Sequence, residues 1–379
     1  MENALVVGIN TRSVACSLKK LGFNVYSADY FGTIDLQECT HNYLSILSQK
    51  PHHSCGHFTL NYKSGSIDDL AAQWVDDADF IICLAGSSPL NFPQKKILGN
   101  KDIGDVENKY KLYRKLKNHF QLPRTYCVAD IEEADEISGN YPEKEFILKP
   151  ISGSGGYGIK ELKMLDEKSD LIFDFSEFIL QERLNGQNIS SSVLSTGSKS
   201  HTVLTSQQII GDTDLGQKEP YGYCGNITPF IDDNNAAGIA EEIINHLSLV
   251  GSNGVDFILQ DDDLFLIEVN PRIQGTIECA EASLGLNMVE AHLEASRGTL
   301  IDVPPPNRFA VKMIVHARKR SQVGRMNFEG VYDIPAENVI IEEGEPVATV
   351  VSSSEVLEDA IYSAQQMVSK VYSLLKVHP

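Results

Sequence analysis

The sequence predicts a protein of several domains that combines α/β and α+β architecture. Its 379 residues are too many for one ordinary core and suit two or three domains of about 100 to 200 residues each. The first hundred residues alternate short apolar runs with helical stretches, which is typical of a doubly wound parallel sheet. A glycine-rich segment and a strand–turn–strand pattern follow, and both indicate antiparallel sheets.

Charge and composition exclude several classes of function. Acidic residues outnumber basic ones 52 to 32, and the formal charge of -20 repels nucleic acid and anionic membrane surfaces. Apolar runs stop far short of the ~20 residues that a membrane-spanning helix needs, and the N-terminal pattern is not that of a secretory signal. The seven cysteines form no C-x-x-C pair. We therefore expect a cytoplasmic protein with reduced thiols and neither nucleic-acid nor membrane partners.

Residues 1–104 are predicted to form the doubly wound domain. Strands are expected at 4–9, 24–27 and 80–84, and helices at 12–21 and 67–75. Ligands of such sheets bind beyond the carboxyl ends of the strands, here near residues 8–12 and 85–88. The tract from 36 to 66 contains several metal-ligand side chains in a spacing that fits no standard zinc site, so we favour a polar surface loop over a metal site. These side chains are His41, His52, His53, Cys55 and His57.

Residues 105–303 are predicted to form a second domain, within which residues 125–185 make a small antiparallel sheet. A lysine-rich helix at 108–120 precedes a strand at 146–148, a glycine loop at 153–158, a strand from 159 and another strand at 178–181. The rest of this domain is a helix at 236–249, a hairpin at 254–270 whose turn holds three aspartates, and helices at 278–284 and 288–297. Three prolines at 304–306 mark a boundary, and 304–379 read as a β-rich segment closed by a helix at 354–375.

The segment FILKPISGSGGYGIK, residues 146–160, carries the sharpest local signal for chemistry. Its glycines formally match a dinucleotide fingerprint, but that fingerprint needs a helix afterwards and a strand-like segment follows here. No glycine-lysine-serine or glycine-lysine-threonine closes a P-loop either. The composition favours a mobile glycine hairpin whose amides fold over polyphosphate oxygens, with Lys149 as a point charge, over a flexible surface turn.

A second chemical signal lies in GVDFILQDDDLFLIEVNPR, residues 254–272. Strand alternation puts Glu268 and Asn270 on one face, and Asp256 of the preceding strand can lie opposite them. Carboxylate and carboxamide oxygens suit Mg²⁺, and a buried, unpaired carboxylate is costly without a cation. Arg272, on the same face if the strand continued, adds a positive fork for an anionic oxygen.

The order of these parts resembles the ATP-grasp superfamily over essentially the whole chain. The parts are the lysine helix, Lys149, the glycine hairpin, QERLNG, DFIL and IEVNPR. The resemblance implies that residues 1–104 are a pre-ATP-grasp domain and 105–303 the ATP-grasp domain. The C-terminal DIPAEN and EEGEPVATV are similar to the closing domain of ATP-dependent carboligases related to biotin carboxylase.

The resemblance also implies a role for individual residues, with ATP and Mg²⁺ (or Mn²⁺) as cofactors. Lys109, with Lys111 as its fallback, and Lys149 match the lysines that contact ATP phosphates; Glu182, Arg183 and Leu184 match the hinge along adenine. Asp256, Glu268 and Asn270 match the metal ligands, and Arg272 and Lys149 the catalytic cations. The nucleotide-binding set also includes the hairpin residues Gly153, Ser154, Gly155, Gly156 and Gly158. It further includes Asn188, which stands where relatives often have a ribose-binding glutamate.

Residues near the predicted acceptor site are candidates for contact with the second substrate. Gln274 and Thr276 rank first because they follow Arg272 directly, and Tyr221 lies in a segment that fits the roof of such a site. Thr276 stands where biotin carboxylase has the glutamate that acts on bicarbonate. Lower-ranked candidates are Arg12, Ser87 and Arg318. We interpret His292 as a histidine on a helical face whose ring nitrogens have hydrogen-bond partners, rather than as a catalytic base.

The predicted activity is ATP-dependent ligation. A small-molecule carboxylate is activated as an acyl phosphate and joined to an amine, which gives ADP and phosphate. Three alternatives stay open at this point: a bicarbonate-dependent carboxylase acting through carboxyphosphate, a kinase with the same nucleotide site, and a nucleotide-binding protein without turnover. Related ligases are frequently dimers, so a homodimer is also open.

Overall fold

The computed structural model describes residues 1–153, 155–165, 177–231 and 234–379. Its helices are α1 (Arg12–Lys20), α2 (Ile34–Cys39), α3 (Phe58–Asn61), α4 (Ser66–Ala71), α5 (Gly104–Glu107), α6 (Lys109–Leu116), α7 (Ile131–Gly139), α8 (Ala236–Leu247), α9 (Ile277–Leu284), α10 (Met288–Ser296) and α11 (Leu357–Ser373). No helix in these ranges is both long and apolar enough to cross a bilayer.

The strands form four sheets. They are β1 (Asn3–Gly8), β2 (Asn24–Asp29), β3 (Asn42–Ser45), β4 (Phe80–Cys83), β5 (Thr125–Tyr126), β6 (Glu145–Pro150), β7 (Lys160–Glu161), β8 (Phe178–Arg183), β9 (Gln187–Thr196), β10 (Ser200–Ile210), β11 (Tyr223–Thr228), β12 (Val250–Gln260), β13 (Asp263–Asn270), β14 (Phe309–His316), β15 (Ser321–Val323), β16 (Val331–Tyr332), β17 (Ile340–Ile341), β18 (Pro346–Ser354) and β19 (Leu375–Val377).

The N-terminal sheet confirms the doubly wound prediction. Its order is β3-β2-β1-β4, and every pairing is parallel. Apolar side chains alternate along β1, so that Val6 packs with α1 on one face while Leu5 and Val7 pack with α4 on the other. The sequence did not predict β3, because Asn42–Ser45 is short and mostly polar. The carboxyl ends of β1, β2 and β4 meet at one edge, where they border a large cleft.

The central sheet has eight strands in the order β13-β12-β9-β10-β11-β14-β18-β16. Strands β12 and β13 form the expected hairpin. Its turn is Asp261–Asp262, both with positive φ (50° and 69°), a conformation that Asp tolerates better than most residues. Asp263 belongs to β13 rather than to the turn. Helix α8 covers one face of the hairpin through Ile243 and Ile244.

The small antiparallel sheet has the order β5-β8-β6-β7 and its own core with α7. β6 and β7 pair antiparallel, so the glycine-rich segment is the connection of a hairpin, as the sequence predicts. β6 runs from Glu145 to Pro150, and Leu148 is fully buried against β8 and α7. This packing fixes the strand that ends in Lys149.

The C-terminal segment continues the central sheet. β14 pairs with β11, and β18 pairs with β14, while β17, β15 and β19 form a separate three-stranded sheet. The same segment contacts residues around the N-terminal sheet: the backbone N–H of Ile34 at the start of α2 donates to the carbonyl of Ile334 at 2.8 Å, and that of Cys55, between β3 and α3, donates to the carbonyl of Ile340 at 2.9 Å. The boundaries predicted at 104 and 304 remain predictions, but the sheet crosses the second of them.

Two cysteines correct the expectation of reduced thiols. Cys16 of α1 and Cys39 of α2 form a disulfide, with their Cα atoms 4.8 Å apart. That separation lies within the range that a disulfide bridges. The pairing depends on how α1 and α2 pack, which the spacing of 23 residues does not reveal. The remaining cysteines, Cys55, Cys83, Cys127, Cys224 and Cys279, are free thiols.

His292 has the structural role that the sequence favours. Its Nδ1 accepts the backbone N–H of Ser252 at 2.9 Å, and its Nε2 lies 3.2 Å from the carbonyl oxygen of Leu98. A neutral imidazole with the proton on Nε2 satisfies both contacts. Burial lowers the pKa of His292 to about 4. The ring therefore ties the segment after β4 to β12 and is not available as a base.

Replacement of His292 by Gln should destabilise the fold at pH 7.5 by about 1 to 3 kcal/mol, because buried hydrogen-bond partners are left unpaired. The folded pKa of about 4 lies below the ordinary 6.5. The contribution of neutral His292 is therefore complete above pH 6.5 and is lost as the pH falls toward 4. Urea unfolding at pH 7.5 and 5 should show a smaller pH effect in the variant than in the wild type. Equal pH effects would contradict this, and exposed His246→Gln is the control.

Candidate functional site

One large cleft contains most of the residues that the sequence singled out. It has a volume of about 1130 Å³ and is lined by the N-terminal, small antiparallel, central and C-terminal sheets. Its position at the carboxyl ends of β1, β2 and β4 is the one that the parallel sheet predicts. The nucleotide and metal candidates line one part of the cleft, and Arg12, Thr276 and the C-terminal strands line another.

The two candidate phosphate lysines converge on this cleft. Lys109 begins α6, whose N-cap is Asn108, and its Nζ lies 3.2 Å from Oε1 of Glu268 and 3.1 Å from the carbonyl oxygen of Gly153. Lys149 is buried at the end of β6, and its Nζ donates to Oε1 of Gln181 at 3.0 Å. Burial, and then the charge of Lys109, lowers the pKa of Lys149 to about 8.

Lys111 does not join them. Its Nζ bonds to Asp105 at 2.9 Å, its side chain is 60% exposed, and it does not line the cleft. The helical step of two residues turns its side chain well away from that of Lys109. The structure therefore favours Lys109 over its fallback, although the phosphate contact itself remains a prediction.

The candidate metal ligands lie together at the β12–β13 hairpin. Asp256 pairs directly with Glu268 across the two strands, and Oδ2 of Asp256 accepts from Nδ2 of Asn270 at 3.0 Å. Oδ1 of Asp256 also accepts from the hydroxyl of Ser190 at 2.6 Å. Burial, and then repulsion by Glu268, raises the pKa of Asp256 to about 6. Two facing carboxylates in a buried position are a donor set that fits a divalent cation.

Three cations surround Glu268. Burial alone would raise the pKa of Glu268, but the charges of Lys109, Lys149 and Arg272 outweigh it and hold the pKa below its ordinary value. Arg272 follows the end of β13, and its Nη1 donates to Oε1 of Glu107 at 3.0 Å. The cleft therefore combines a carboxylate pair with a ring of positive charge, as binding of a metal and a polyphosphate requires.

The glycine hairpin lies against the loop before β11. A Cβ built on Gly156 would lie 1.7 Å from the carbonyl oxygen of Tyr221, and Gly156 has a φ of +79°. The carbonyl of Gly155 accepts the backbone N–H of Tyr223 at 3.1 Å. Only glycine permits this backbone approach. Gly153 and Gly158 also have positive φ, and Ser154 lies outside the described residues.

The predicted hinge residues lie at the end of β8 and all line the cleft. The carboxylate of Glu182 forms ion pairs with Lys144 and with Nε of Arg124, the latter at 3.5 Å. Arg183 pairs with Glu145. These partners hold the strand end in place and leave Leu184 and Asn188 beside it in the cleft wall. The adenine and ribose contacts remain predictions.

The candidates for acceptor contact differ in their positions. Gln274 and Thr276 line the cleft: Nε2 of Gln274 lies 3.4 Å from Oδ1 of Asp256, and the hydroxyl of Thr276 lies 3.0 Å from that of Ser192. Tyr221 also lines it and donates to Oε1 of Glu161 at 3.4 Å. Of the lower-ranked residues, Arg12 and Ser87 line the cleft. Arg318 does not; it bonds to the carbonyl of Asp214 and stacks on a tyrosine of α11.

Sequence reasoning missed four residues of the cleft wall. Lys312 and Glu278 form a buried ion pair at 2.8 Å, Asp333 pairs with Arg12, and Gln181 supports Lys149. Lys312 gave a signal, because a lysine inside the apolar strand FAVKMIVH needs a buried partner. The other three lie in segments without such a pattern.

The comparisons with known proteins agree with this geometry. A family model described as an ATP-grasp domain matches residues 106–276. An uncharacterized protein of Methanocaldococcus jannaschii is 33% identical over 93% of this chain and 88% of its own length. The chain belongs to the ATP-grasp superfamily. The resemblance stated from the motifs is thereby confirmed, and so is the predicted ligase at the level of the family.

Other members of the superfamily share part of the sequence or the fold. The tyramine–L-glutamate ligase of M. jannaschii is 28% identical over 57% of this chain and 59% of its own length. Biotin carboxylase from Campylobacter jejuni has a TM-score of 0.71 at 14% identity and covers 100% of this chain and 92% of its own. N5-carboxyaminoimidazole ribonucleotide synthetase from Thermotoga maritima has a TM-score of 0.66 at 15% identity, with 100% of both chains covered. Likeness at such low identity shows the ATP-grasp fold alone.

Proposed function

We propose that this ATP-grasp protein is a ligase that activates a small-molecule carboxylate as an acyl phosphate and joins it to an amine, with release of ADP and phosphate. The observation that carries the proposal is the convergence of a carboxylate pair and three cations in one cleft beneath the glycine hairpin. The pair is Asp256 and Glu268, and the cations are Lys109, Lys149 and Arg272. ATP-grasp enzymes in general use ATP and Mg²⁺ in such a site.

The cleft contains residues whose chemistry fits ATP and a divalent metal ion. Asp256, Glu268 and Asn270 would hold the metal, which neutralises phosphate charge when bound. Lys109, Lys149 and the amides of the hairpin would bind the phosphates, and the adenosine would lie along residues 182–184 and Asn188. Burial, and then repulsion by Glu268, raises the pKa of Asp256. A bound cation would offset both effects and favour the ionised carboxylate.

The chain's own residues would perform two tasks. Lys149 and Arg272 stabilise the charge that develops when the substrate carboxylate attacks the terminal phosphate. The hairpin covers the site, because its backbone at residues 155 and 156 contacts residues 221 and 223, and closure excludes water from the acyl phosphate. The amine then attacks the activated carbonyl, and phosphate leaves.

The bicarbonate alternative has less support from the same wall of the cleft. Thr276 occupies the position of the carboxylase glutamate, and its hydroxyl is bonded to the hydroxyl of Ser192 at 3.0 Å. A threonine hydroxyl cannot serve as the general base that a carboxylate would be. We therefore retain the ligase as the proposed function. A small-molecule acid and amine as partners, a homodimer and a cytoplasmic location stay predictions.

Hydroxylamine provides a direct experiment, because it intercepts an acyl phosphate as a stable hydroxamate. The full chain would be incubated with Mg²⁺, ATP, hydroxylamine and a panel of carboxylic acids, and both hydroxamate and ADP would be measured. Equal amounts of the two with at least one acid are expected. ADP formation with bicarbonate alone would favour the carboxylase, and the absence of ADP with every acid would favour a nucleotide-binding protein.

The affinity for ADP should decrease as the pH rises from 7 to 9. Lys149, whose pKa burial lowers to about 8, is cationic at pH 7 and largely neutral at pH 9. Loss of a charge-assisted hydrogen bond of this kind weakens binding by about tenfold. Calorimetric titration of ADP at both pH values tests this. Lys149→Arg should bind with little pH dependence because arginine stays charged, and the same decrease in that variant would contradict the assignment.

A further inference from the structure

One part of the cleft is an apolar chamber between the two ends of the chain, and Tyr157 of the glycine hairpin borders it, with its ring 5.9 Å from that of Phe58. Side chains from the N-terminal segments after β2 and β3 and from α3 face the cleft together with others from β14, β17 and β18. They are Phe31, Leu47, Phe58, Ile314, Ile341 and Val347. The backbone contacts Cys55 to Ile340 and Phe58 to the carboxylate of Glu345, at 2.9 and 3.1 Å, hold these two walls together.

The cations in the polar wall of this chamber are already paired with carboxylates, whereas Oδ1 of Asp68 and Nδ1 of His316 in the cleft lining have no hydrogen-bond partner among the described residues. Arg12 bonds to Glu278 through Nη1 and to Asp333 through Nε and Nη2, the last two at 3.0 and 3.1 Å. Its Nε also lies 3.3 Å from Asp35. Lys312 bonds to the second oxygen of Glu278 at 2.8 Å. Both cations are more than nine-tenths buried.

The other cations that line the described part of the cleft belong to its remaining parts. Lys109 pairs with Glu268, Arg272 with Glu107, and Arg183 with Glu145. Lys149 has the amide of Gln181 as its partner and lies beside the carboxylate pair at the nucleotide end. Among the described residues, the chamber itself therefore offers a substrate no cation that lacks a carboxylate partner.

We propose that this chamber selects a substrate with an apolar body and no second anionic group: the acid or the amine of the ligation carries its reacting function on an aliphatic or aromatic frame. This inference rests on the proposed function only in calling the bound molecule a substrate. The binding preference itself does not depend on the reaction. Apolar walls favour such a frame through burial alone.

A second carboxylate on the substrate would be rejected for a physical reason. To bind it, Arg12 or Lys312 would have to release Glu278 or Asp333, which would leave a buried carboxylate without its cation. The carboxylates of this network outnumber its cations, since Glu278 and Asp333 line the cleft with Arg12 and Lys312, and Asp35 contacts Arg12 without lining the cleft. An added anion is therefore repelled as well as unpaired.

Calorimetric titration of three six-carbon probes tests the preference without any turnover. Hexanoate, hexylamine and adipate would each be titrated into the full chain with saturating ADP and Mg²⁺. We expect hexanoate or hexylamine to bind at least about tenfold more tightly than adipate, and whichever binds identifies the acid or the amine as the occupant. The proposal would be overturned if adipate bound as tightly as the tighter of hexanoate and hexylamine. It would also be overturned if neither hexanoate nor hexylamine showed saturable binding.

Removal of one charge should abolish the preference. Glu278→Gln leaves Lys312 and one N–H of Arg12 without a carboxylate, so adipate should bind about tenfold more tightly than to the wild type while hexanoate changes little. Glu343→Gln, at an exposed pair with Lys218, is the matched control. Unchanged adipate affinity in folded Glu278→Gln would contradict the proposal. If that variant does not fold, the wild-type comparison still decides.

These titrations separate this inference from the ligase itself. A preference for hexanoate or hexylamine in a protein that forms no hydroxamate would refute the proposed function and retain the apolar chamber. Hydroxamate formation with adipate in preference to hexanoate would retain the ligase and refute the chamber's selectivity.

Discussion

Glu268→Gln should reduce ATP-dependent ADP formation by about 10²- to 10³-fold, the size of effect seen when one preorganised charge is removed from a transition state. Glu268 is the half-buried carboxylate that faces Asp256 across the β12–β13 hairpin, and its Oε1 lies 3.2 Å from Nζ of Lys109. Glutamine keeps the shape and removes the charge. Under the proposed assignment the metal loses an anionic ligand, and Lys109 loses the carboxylate that it contacts.

Two measurements distinguish this effect from a folding defect. The Mg²⁺ concentration for half-maximal activity should rise in Glu268→Gln, while the melting temperature in the absence of ligands should fall only modestly, because the loss of attraction to three cations is partly offset by the loss of repulsion on Asp256. Glu343→Gln on the exposed surface is the control and should retain wild-type activity. Activity of Glu268→Gln within threefold of the wild type would remove the metal assignment.

Gly156→Ala should prevent the glycine hairpin from packing against the loop before β11. We expect kcat to decrease by about 10²-fold, as it does when a positioning element is misplaced. The added Cβ would overlap the carbonyl oxygen of Tyr221 at 1.7 Å, and the φ of +79° is itself unfavourable for alanine. The hairpin would remain open to water. The ratio of ATP hydrolysed to product formed should therefore increase.

Gly139→Ala is the matched control for this change. Gly139 ends α7, has no positive φ, and a Cβ there would meet nothing within 4 Å. We expect wild-type kcat and an equal or slightly higher melting temperature, because alanine favours helix over glycine. Equal kcat in Gly156→Ala and Gly139→Ala would show that the close approach to Tyr221 is not needed for turnover.

The elements with a strong local pattern could be predicted from the sequence. Alternation along 254–270 predicted that Asp256 can lie opposite Glu268, and the observed register places them so. The strand before Lys149 and the strand after the glycines predicted a hairpin, which β6 and β7 form. In each case the residues that determine the structure are close in sequence, so period and turn chemistry suffice.

The polar wall of the chamber could not be predicted in the same way. Arg12 meets Asp333 from a position 321 residues away, and Lys312 meets Glu278 across a sheet and a helix. The Cys16–Cys39 disulfide likewise depends on the packing of two helices. Sequence spacing does not encode such contacts, because they are fixed by tertiary packing after the elements have formed.

The eight-stranded sheet has a consequence for synthesis of the chain. Strand β14 completes the row of hydrogen bonds beside β11, and β18 then extends it, so two cleft-lining strands follow residue 303. A nascent chain that has folded only as far as residue 303 contains every residue proposed to bind the nucleotide and the metal, but its cleft still lacks the wall formed by β14 and β18. We expect a nascent protein at this stage to retain affinity for ADP while lacking the means to commit ATP to a reaction.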